Sequence, residues 1–548
     1  MAVAPEVGPQ QSTVYQVLAA VAQARPDSDL LVLEPVTAAT YGLGPGSVSY
    51  AQALAHTHGL RQRYADAGYG HGHRVALSLD NRPEFFYHWW ALNALGVSVV
   101  PVHAALRHAE LTYLLNHSAC VLVVAPPERH AALRQALDAG QAVAAVAAPQ
   151  ALALPAAAHA PPLAAQPVGR ETECALLYTS GTTGRPKGCR LLNGYFLRAG
   201  SWYATLDGHC TLRPGQERIA TPLPVNHMNA LAFSTMAALM TGGALVQLDR
   251  FHPQTWWASV QDSAATVVHY LGVMPAMLLG AKPHATDTAH QVRFGFGAGV
   301  GGEQHAAFES RFGFPLIEAW AMTETGAVGC VIANHEPRHI GQHAFGRPQS
   351  HMAWRLVDDE GQDVAAGTPG ELLVRAAGNN PREDFFAGYL KDLEATEEAW
   401  QGGWFHTGDV VRVDAEGCMF FVDRKKNVVR RSGENISAVE VETVLAQHPE
   451  VKAAAVAPVT DSVRGDEVCA CVVPKQTPSD ATAWAHELVR WALQQLSYYK
   501  VPGYVVLVDV LPLTLSQKIQ RGQLREMAQA ALGQPHAVDT RFMKKGSA

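Results

Sequence analysis

The sequence predicts an α/β protein: a large N-terminal domain of packed mixed and parallel sheets with helices, a β-rich subdomain, and a small α+β C-terminal domain. Three observations carry this. Between Leu60 and Val124, short apolar runs alternate with helical patterns, and that β-α-β rhythm favours parallel sheets covered by helices. After Pro337, short β-like runs separated by Gly and Asp replace it. Beyond Arg424 the text returns to mixed helix and strand.

Taken in order, Arg74 to Leu79 and Val121 to Val124 read as strands, with Arg82 to Ala94 as the helix between them. The Ala-rich stretch Ala139 to Pro167 has no sustained period and several prolines, so a surface crossover or linker is expected. A second α/β block spans Ala175 to Asp249, followed by strand candidates at Thr266 to Tyr270 and Arg293 to Phe296. The β-rich part contributes Trp354 to Val357, Glu371 to Val374, Val410 to Val413 and Met419 to Val422. Helices are expected near Ala438 to His448 and Thr482 to Gln495, and Lys544 to Ala548 reads as a frayed tail.

The chain has 548 residues, which at about 150 per domain gives three to four structural units. Hydrophobic residues make up 48% and charged ones 17%, so a large core can be buried and wholesale disorder is excluded. Lys plus Arg number 42 against 49 Asp plus Glu, leaving no broad basic field for a nucleic-acid backbone. Met1 to Gln11 lacks the basic start and apolar core of a signal peptide. The longest apolar stretch, Ala264 to Leu279, is interrupted by His269, Gly272 and Pro275 and is too short to span a bilayer. The eight cysteines are scattered without a CxxC pair, as buried thiols of a cytoplasmic protein would be.

Chemistry concentrates in Tyr178-Thr-Ser-Gly-Thr-Thr-Gly-Arg-Pro-Lys-Gly188, which follows the apolar run Cys174 to Leu177. Glycines let backbone N–H groups turn toward an anion, hydroxyls add donors, and Arg185 and Lys187 add charge. The spacing does not fit a Walker loop. A phosphate cradle and a flexible Gly/Ser-rich loop both fit this composition, though a flexible loop is seldom so ordered in residue type.

That segment resembles the signature loop of the adenylate-forming superfamily of acyl-CoA synthetases, adenylation domains and luciferases. The family's further motifs follow in order over roughly residues 50 to 530. Trp320-Ala-Met-Thr-Glu-Thr-Gly326 resembles its Tyr-Gly-x-Thr-Glu stretch, and Gly403-Trp-Phe-His-Thr-Gly-Asp409 its Thr-Gly-Asp segment. Asp423 to Ile436 resembles the hinge and the strand after it, and Pro512 to Arg521 the terminal lysine motif. Gln517 stands where glycine is usual before that lysine.

The resemblance implies an ATP-dependent, Mg²⁺-dependent acid:CoA ligase that forms an acyl-adenylate and then an acyl-CoA thioester, releasing AMP and pyrophosphate. It implies a domain spanning residues 1–424, with the β-rich part at about 337–424, and a mobile domain at 425–548. Thr179, Ser180, Gly181, Thr182, Thr183, Gly184 and Lys187 would hold the β- and γ-phosphates. Thr323 would contact the α-phosphate and Glu324 would hold Mg²⁺. Asp409 would accept the ribose hydroxyls, with Arg424 assisting, because a carboxylate can take both hydrogen bonds of a vicinal diol. Gly297, Ala298 and Gly299 would wall the adenine, with Trp320 and Ala321 completing the nucleotide site. Lys518 would bridge carboxylate and phosphate in the first half-reaction. Rotation about Lys426 would then replace Lys518 with the strand around Arg430, where Gly433 would line the tunnel for CoA's pantetheine arm; a simple turn role for Gly433 stays open.

For the acid, Pro222-Leu-Pro-Val-Asn-His-Met-Asn-Ala230 resembles the segment that gates the pocket, with Asn226, His227 and Asn229 near its mouth and Trp320 at its floor. With Val273-Met-Pro275 and the Tyr195-Phe196 pair, the wording is closest to the carnitine/crotonobetaine-CoA ligase-like branch. An unpaired polar group facing an alkyl chain costs about 1–3 kcal/mol, which argues for a small polar or charged acid: sulfonated, betaine-like, dicarboxylic or aromatic. His269 and Arg293 are candidates to neutralise a second anion, and both also fit core or surface places.

Two other readings remain. One is a free-standing adenylation enzyme loading a carrier-protein thiol. The other is a non-catalytic nucleotide-binding protein, which predicts a loss at Lys187, Glu324, Asp409 or Lys518, and all four are present. Expected partners are the acid, ATP and CoA, with no nucleic acid and no membrane, in a monomer or homodimer.

Overall fold

The computed structural model describes residues 10–140, 143–179, 185–424, 428–512 and 519–544. They fall into two compact units. The first draws on residues up to Ala104, Leu115–Tyr178 and Gly188–Asp423; the second on Ala105–Leu114, Thr179–Lys187 and the chain from Arg424.

In the first unit, a six-stranded sheet runs in the order Ala145–Ala147, Leu122–Val124, Arg74–Leu77, Ser98–Pro101, Glu173–Thr179, Lys187–Leu192. The pairs from Ala145–Ala147 through to Glu173–Thr179 are parallel. Helix Pro83–Ala94 follows Arg74–Leu77 as expected, but it leads into Ser98–Pro101, a strand the sequence reading did not mark, before the chain reaches Leu122–Val124. Proline at the helix's first position lacks only a donor that a helix start leaves unused. All residues from Phe85 to Asn93 are buried, so this helix is covered on every side rather than amphipathic. One expectation is corrected: the Ala-rich stretch Ala139 to Pro167 contains a strand, Ala145–Ala147, paired with Leu122–Val124. Alanine is small enough to enter a sheet edge that its neighbour's β-branched residues dictate.

An eight-stranded sheet has the order Val331–Ile332, Leu316–Trp320, Phe294–Ala298, Val267–Leu271, Arg218–Thr221, Ala244–Gln247, Asp29–Leu33, Gly46–Ser49. Its inner pairs are parallel and its two end pairs antiparallel. The apolar stretch Ala264 to Leu279 is the buried strand Val267–Leu271 followed by helix Val273–Leu279. The β-like runs after Pro337 gather into a five-stranded sheet, ordered Ala344–Gly346, Met419–Arg424, Phe405–Val413, Gly370–Ala376, Met352–Val357. Ala344–Gly346 with Met419–Arg424, Met352–Val357 with Gly370–Ala376, and Gly370–Ala376 with Phe405–Val413 all pair antiparallel, as short strands joined by turns favour.

In the second unit, Glu434–Ser437, Val428–Arg431, Gly465–Pro474, Tyr504–Leu507 and Ala537–Asp539 form a sheet, with Val451–Asp461 antiparallel to Gly465–Pro474. Strand Gly465–Pro474 is buried on both faces. Val468, Ala470 and Val472 pack with Leu488 and Val489 of helix Ala481–Gln495. Cys469 and Cys471 pack with Leu524 and Ala528 of helix Arg521–Ala531. Ser437 and Asp480 cap helices Ala438–Leu445 and Ala481–Gln495 by accepting backbone N–H groups. Lys500 is buried between Glu110 (2.6 Å) and Glu440 (2.7 Å). Burial alone would lower its pKa, but the two carboxylates outweigh it and hold the ammonium charged. Among the described residues, no helix is long and apolar enough to cross a membrane.

Candidate active site

Strand Leu316–Trp320 organises one part of the first unit. Its last residue, Trp320, is 7% exposed and donates from Nε1 to Oδ2 of Asp409 at 2.9 Å. Asp409 is 2% exposed and sits in strand Phe405–Val413. Thr407 fixes the local backbone: its hydroxyl donates to the Leu372 carbonyl at 2.6 Å and accepts from the Asp409 N–H at 3.1 Å. A buried carboxylate held this way presents a fixed acceptor, the property a diol ligand needs.

Glu318, two residues before Trp320, was not singled out in the sequence. Its carboxylate accepts the Tyr270 hydroxyl at 2.7 Å, the Gly299 N–H at 2.9 Å and the Val300 N–H at 3.2 Å. It therefore fixes the Gly297-Ala298-Gly299 turn at the end of strand Phe294–Ala298. Glycine at 297 has a backbone cause: a Cβ there would stand 2.2 Å from the Tyr270 carbonyl oxygen of the neighbouring strand.

After Trp320 the chain leaves the sheet through Ala321, and Thr323 and Glu324 lie in the turn that follows. The Thr325 hydroxyl, accepting the Met322 N–H at 3.1 Å, holds that turn. Glu324 is buried, and its Oε1 accepts the Tyr389 hydroxyl at 2.9 Å. Its carbonyl takes the Phe386 N–H at 2.9 Å. Burial and the neighbouring carboxylate push the Tyr389 phenol far up, so it stays a donor. Tyr389 is the second residue that sequence reading missed. Glu324 offers hard carboxylate oxygen, the donor type that suits Mg²⁺.

Around the residues expected at the acid, Asn229 to Ser234 forms a single π-helical segment, a geometry found often at functional sites. His227 and Asn226 are half-buried on the turn before it. His269 is fully buried. Its Nδ1 lies 2.7 Å from Asn229 Oδ1 and 2.8 Å from Ser234 Oγ, and its Nε2 lies 3.1 Å from the Tyr203 hydroxyl. Asn229 Oδ1 can only accept, so Nδ1 carries the proton and Nε2 accepts from Tyr203. Burial holds the imidazole down to about 3, leaving it neutral. Arg293 gives its guanidinium to Glu217 at 2.6 Å and the Thr211 carbonyl at 2.8 Å. Of the places open to them, His269 therefore takes the core, uncharged, and Arg293 is committed to a buried carboxylate, so neither is left to neutralise a second anion. Asn229 likewise turns its carbonyl oxygen to His269. Tyr203 and Phe296 pack on the His269 ring with their own centroids 4.8 Å apart, and Phe233 packs on both of them.

In the second unit, Thr179 ends strand Glu173–Thr179 and Lys187 begins strand Lys187–Leu192. Beside Lys187, Arg185 lies over the Tyr113 ring at 5.4 Å, and the Tyr113 hydroxyl donates to the Pro186 carbonyl at 2.9 Å. Arg430 is in strand Val428–Arg431, where its N–H donates to Asp466 at 3.0 Å. Ser432 and Gly433, with φ of 50° and 89°, make the two-residue turn into Glu434–Ser437. The expected roles of Ser180, Gly181, Thr182, Thr183, Gly184, Lys426 and Lys518, and of the Arg424 side chain, fall outside the described residues and side chains.

The structure thus joins Trp320 to Asp409 and Asn229 to His269, and adds Glu318 and Tyr389 to the expected set. Residues 19–389 match the family model described as AMP-binding enzyme, and residues 440–518 match that of the AMP-binding enzyme C-terminal domain. The chain is 31% identical over 473 residues to the crotonobetaine/carnitine–CoA ligase of Shigella sonnei, covering 83% of this chain and 88% of that one. It shares its fold with a double mutant of the o-succinylbenzoate CoA synthetase of Bacillus subtilis, at TM-score 0.78 and 24% identity over 94% and 98% of the two chains. The amide bond synthetase McbA of Marinactinospora thermotolerans is also similar, at TM-score 0.74 and 26% identity over 88% and 95%.

Proposed function

The chain belongs to the AMP-binding enzyme family and is an AMP-forming acid:CoA ligase; we propose that its acid is small, with a second group that is not an anion. The observation that carries this reading is the state of His269 and Arg293. A neutral imidazole and a guanidinium paired with Glu217 leave a sulfonate or second carboxylate without either of the two candidate cations. A betaine-like acid needs no such cation, and the relative that is 31% identical is named for carnitine and crotonobetaine. Asn226, His227, Asn229 and Trp320 are our candidates for the pocket itself.

In this reading ATP's phosphates lie along Thr179 to Gly184 and Lys187, with Thr323 at the α-phosphate. Asp409, set by Trp320 and assisted by Arg424, takes the ribose; Gly297 to Gly299, Trp320 and Ala321 enclose the base. Glu324 would hold Mg²⁺, which when bound supplies charge for the phosphate oxygens. Residues 1–424 act as the adenylation domain and 425–548 as the mobile one. Lys518 serves adenylation. Rotation about Lys426 then brings Arg430 and Gly433 toward the CoA thiol. We place the enzyme in the cytoplasm, as a monomer or homodimer.

The test is CoA-dependent AMP formation from ATP with a panel of small acids: betaine-like, sulfonated, dicarboxylic and hydroxylated aromatic. The reading expects kcat/KM highest for a betaine-like or neutral acid. A sulfonate or dicarboxylate preferred by tenfold or more would contradict it.

A further inference from the structure

We propose that His339, Asp414 and Cys418 form a binding site for one zinc-type divalent cation, separate from the nucleotide and acid sites. His339 lies on the chain between strands Val331–Ile332 and Ala344–Gly346. Asp414 directly follows strand Phe405–Val413, and Cys418 directly precedes Met419–Arg424. One ligand atom from each side chain lies within 4.8 Å of the others. Imidazole nitrogen, carboxylate oxygen and thiolate sulfur together make a donor set that zinc-type ions favour and that hard cations do not.

Two further observations make this a built arrangement. Asp414 and Cys418 are locked in one tight turn: Oδ1 of Asp414 accepts the N–H groups of Glu416 (3.1 Å) and Cys418 (2.8 Å). The Asp414 N–H returns to the Cys418 carbonyl at 3.1 Å. That turn occupies Oδ1. Oδ2 stands 3.7 Å from Nε2 of His339, too far for a hydrogen bond. His339 Nε2 is a fully buried polar atom with no hydrogen-bond partner. Buried polar nitrogens are nearly always satisfied, so an ion between these atoms explains what the protein groups alone leave unexplained.

The surroundings hold the ligands in place. The His339 ring packs on Phe420 with centroids 5.2 Å apart, and Arg412 covers Phe420 at 3.9 Å. Arg347, the other cation beside the turn, donates to the Glu416 carbonyl at 2.8 Å. Coordination replaces the Cys418 S–H bond with an S–metal bond, and the proton passes to solvent. Water completes the fourth position. The ion would clamp the loop carrying His339 to the far end of the strand that carries Asp409.

The experiment uses the full chain, stripped with chelator and titrated with Co²⁺ in Mg²⁺-free buffer. One equivalent is expected to give thiolate-to-cobalt charge-transfer absorption in the near-ultraviolet and visible bands of a four-coordinate ion. Equimolar Zn²⁺ should remove both. Cys418→Ser should abolish the charge-transfer band, and His339→Gln should weaken binding at least tenfold. The other seven cysteines, all buried, remain in Cys418→Ser as an internal control. Uptake of no cobalt by the unaltered chain, or a charge-transfer band that survives Cys418→Ser, overturns the proposal. X-ray absorption of the zinc-loaded, unaltered chain needs no variant: one sulfur at about 2.3 Å with nitrogen and oxygen at about 2.0 Å is expected. A shell with no sulfur, or with several, refutes it.

Discussion

Trp320 and Asp409 are 89 residues apart in sequence, yet the indole Nε1–H of one points at the carboxylate Oδ2 of the other at 2.9 Å. The final residue of a strand in the eight-stranded sheet thereby sets the carboxylate on a strand of the five-stranded sheet. The tryptophan, which replaces the family's usual tyrosine, supplies a donor that cannot rotate away from its ring plane.

Trp320→Phe keeps an aromatic ring and removes that donor. A hydrogen bond to a charged group contributes about 1.5–3 kcal/mol, so kcat/KM for ATP should fall roughly ten- to a hundredfold. Pyrophosphate release measured against ATP concentration reads this directly. An unchanged ATP dependence would mean that Asp409 is positioned by other groups.

Much of this organisation was legible in the sequence, and the reasons for the rest are physical. Strand Arg74–Leu77 and helix Pro83–Ala94 announce themselves because their patterns are local, and so do the short runs that form the five-stranded sheet. Glu318 could not be found that way. It reads as one acid in an apolar strand, and its partner Tyr270 is 48 residues distant. Tyr389 reaches Glu324 across 65 residues. The choice between a core and a charged His269 stayed open in the sequence for the same reason: a histidine's proton count depends on burial and on Asn229, Ser234 and Tyr203, which adjoin it only once the chain has folded. Strand Ala145–Ala147 escaped because alanine carries no strand signal of its own.

Acid should weaken this protein below about pH 6.5. Burial holds His269 at about 3 and His88 at about 4, both below the usual histidine value, so the unfolded chain binds more protons across that interval. Their contribution is complete above about pH 6.5 and is lost as pH falls through the folded values. Burial would raise Glu309, but Arg338 and His305, with the Leu316 N–H, outweigh it and hold it at about 2. Its stabilisation persists above the ordinary glutamate range and is lost only below about pH 4.5. Urea midpoints should fall as pH drops from 6.5 to 4, and His269→Gln should flatten the upper part of that fall. Midpoints that rise from pH 7 to 5 would refute the neutral assignment.

Gly433 serves the turn with Ser432, both residues having positive φ. Gly433→Ala should cost about 1 kcal/mol of stability through strain and leave both half-reactions running. Gly433→Leu should in addition block thioester formation while sparing acid-dependent pyrophosphate release. Loss of adenylation with retained thioester formation from supplied acyl-adenylate would reverse the tunnel assignment.

The central claim is that one site adenylates an acid with the help of Lys518 and then, without that lysine, passes the acyl group to CoA. Lys518→Ala, assayed separately for each half-reaction, tests it most directly. Acid-dependent pyrophosphate release should fall by at least a hundredfold, while CoA consumption of supplied acyl-adenylate should stay within about threefold of the unaltered chain. Equal loss of both steps, or adenylation that continues undiminished, would contradict the account.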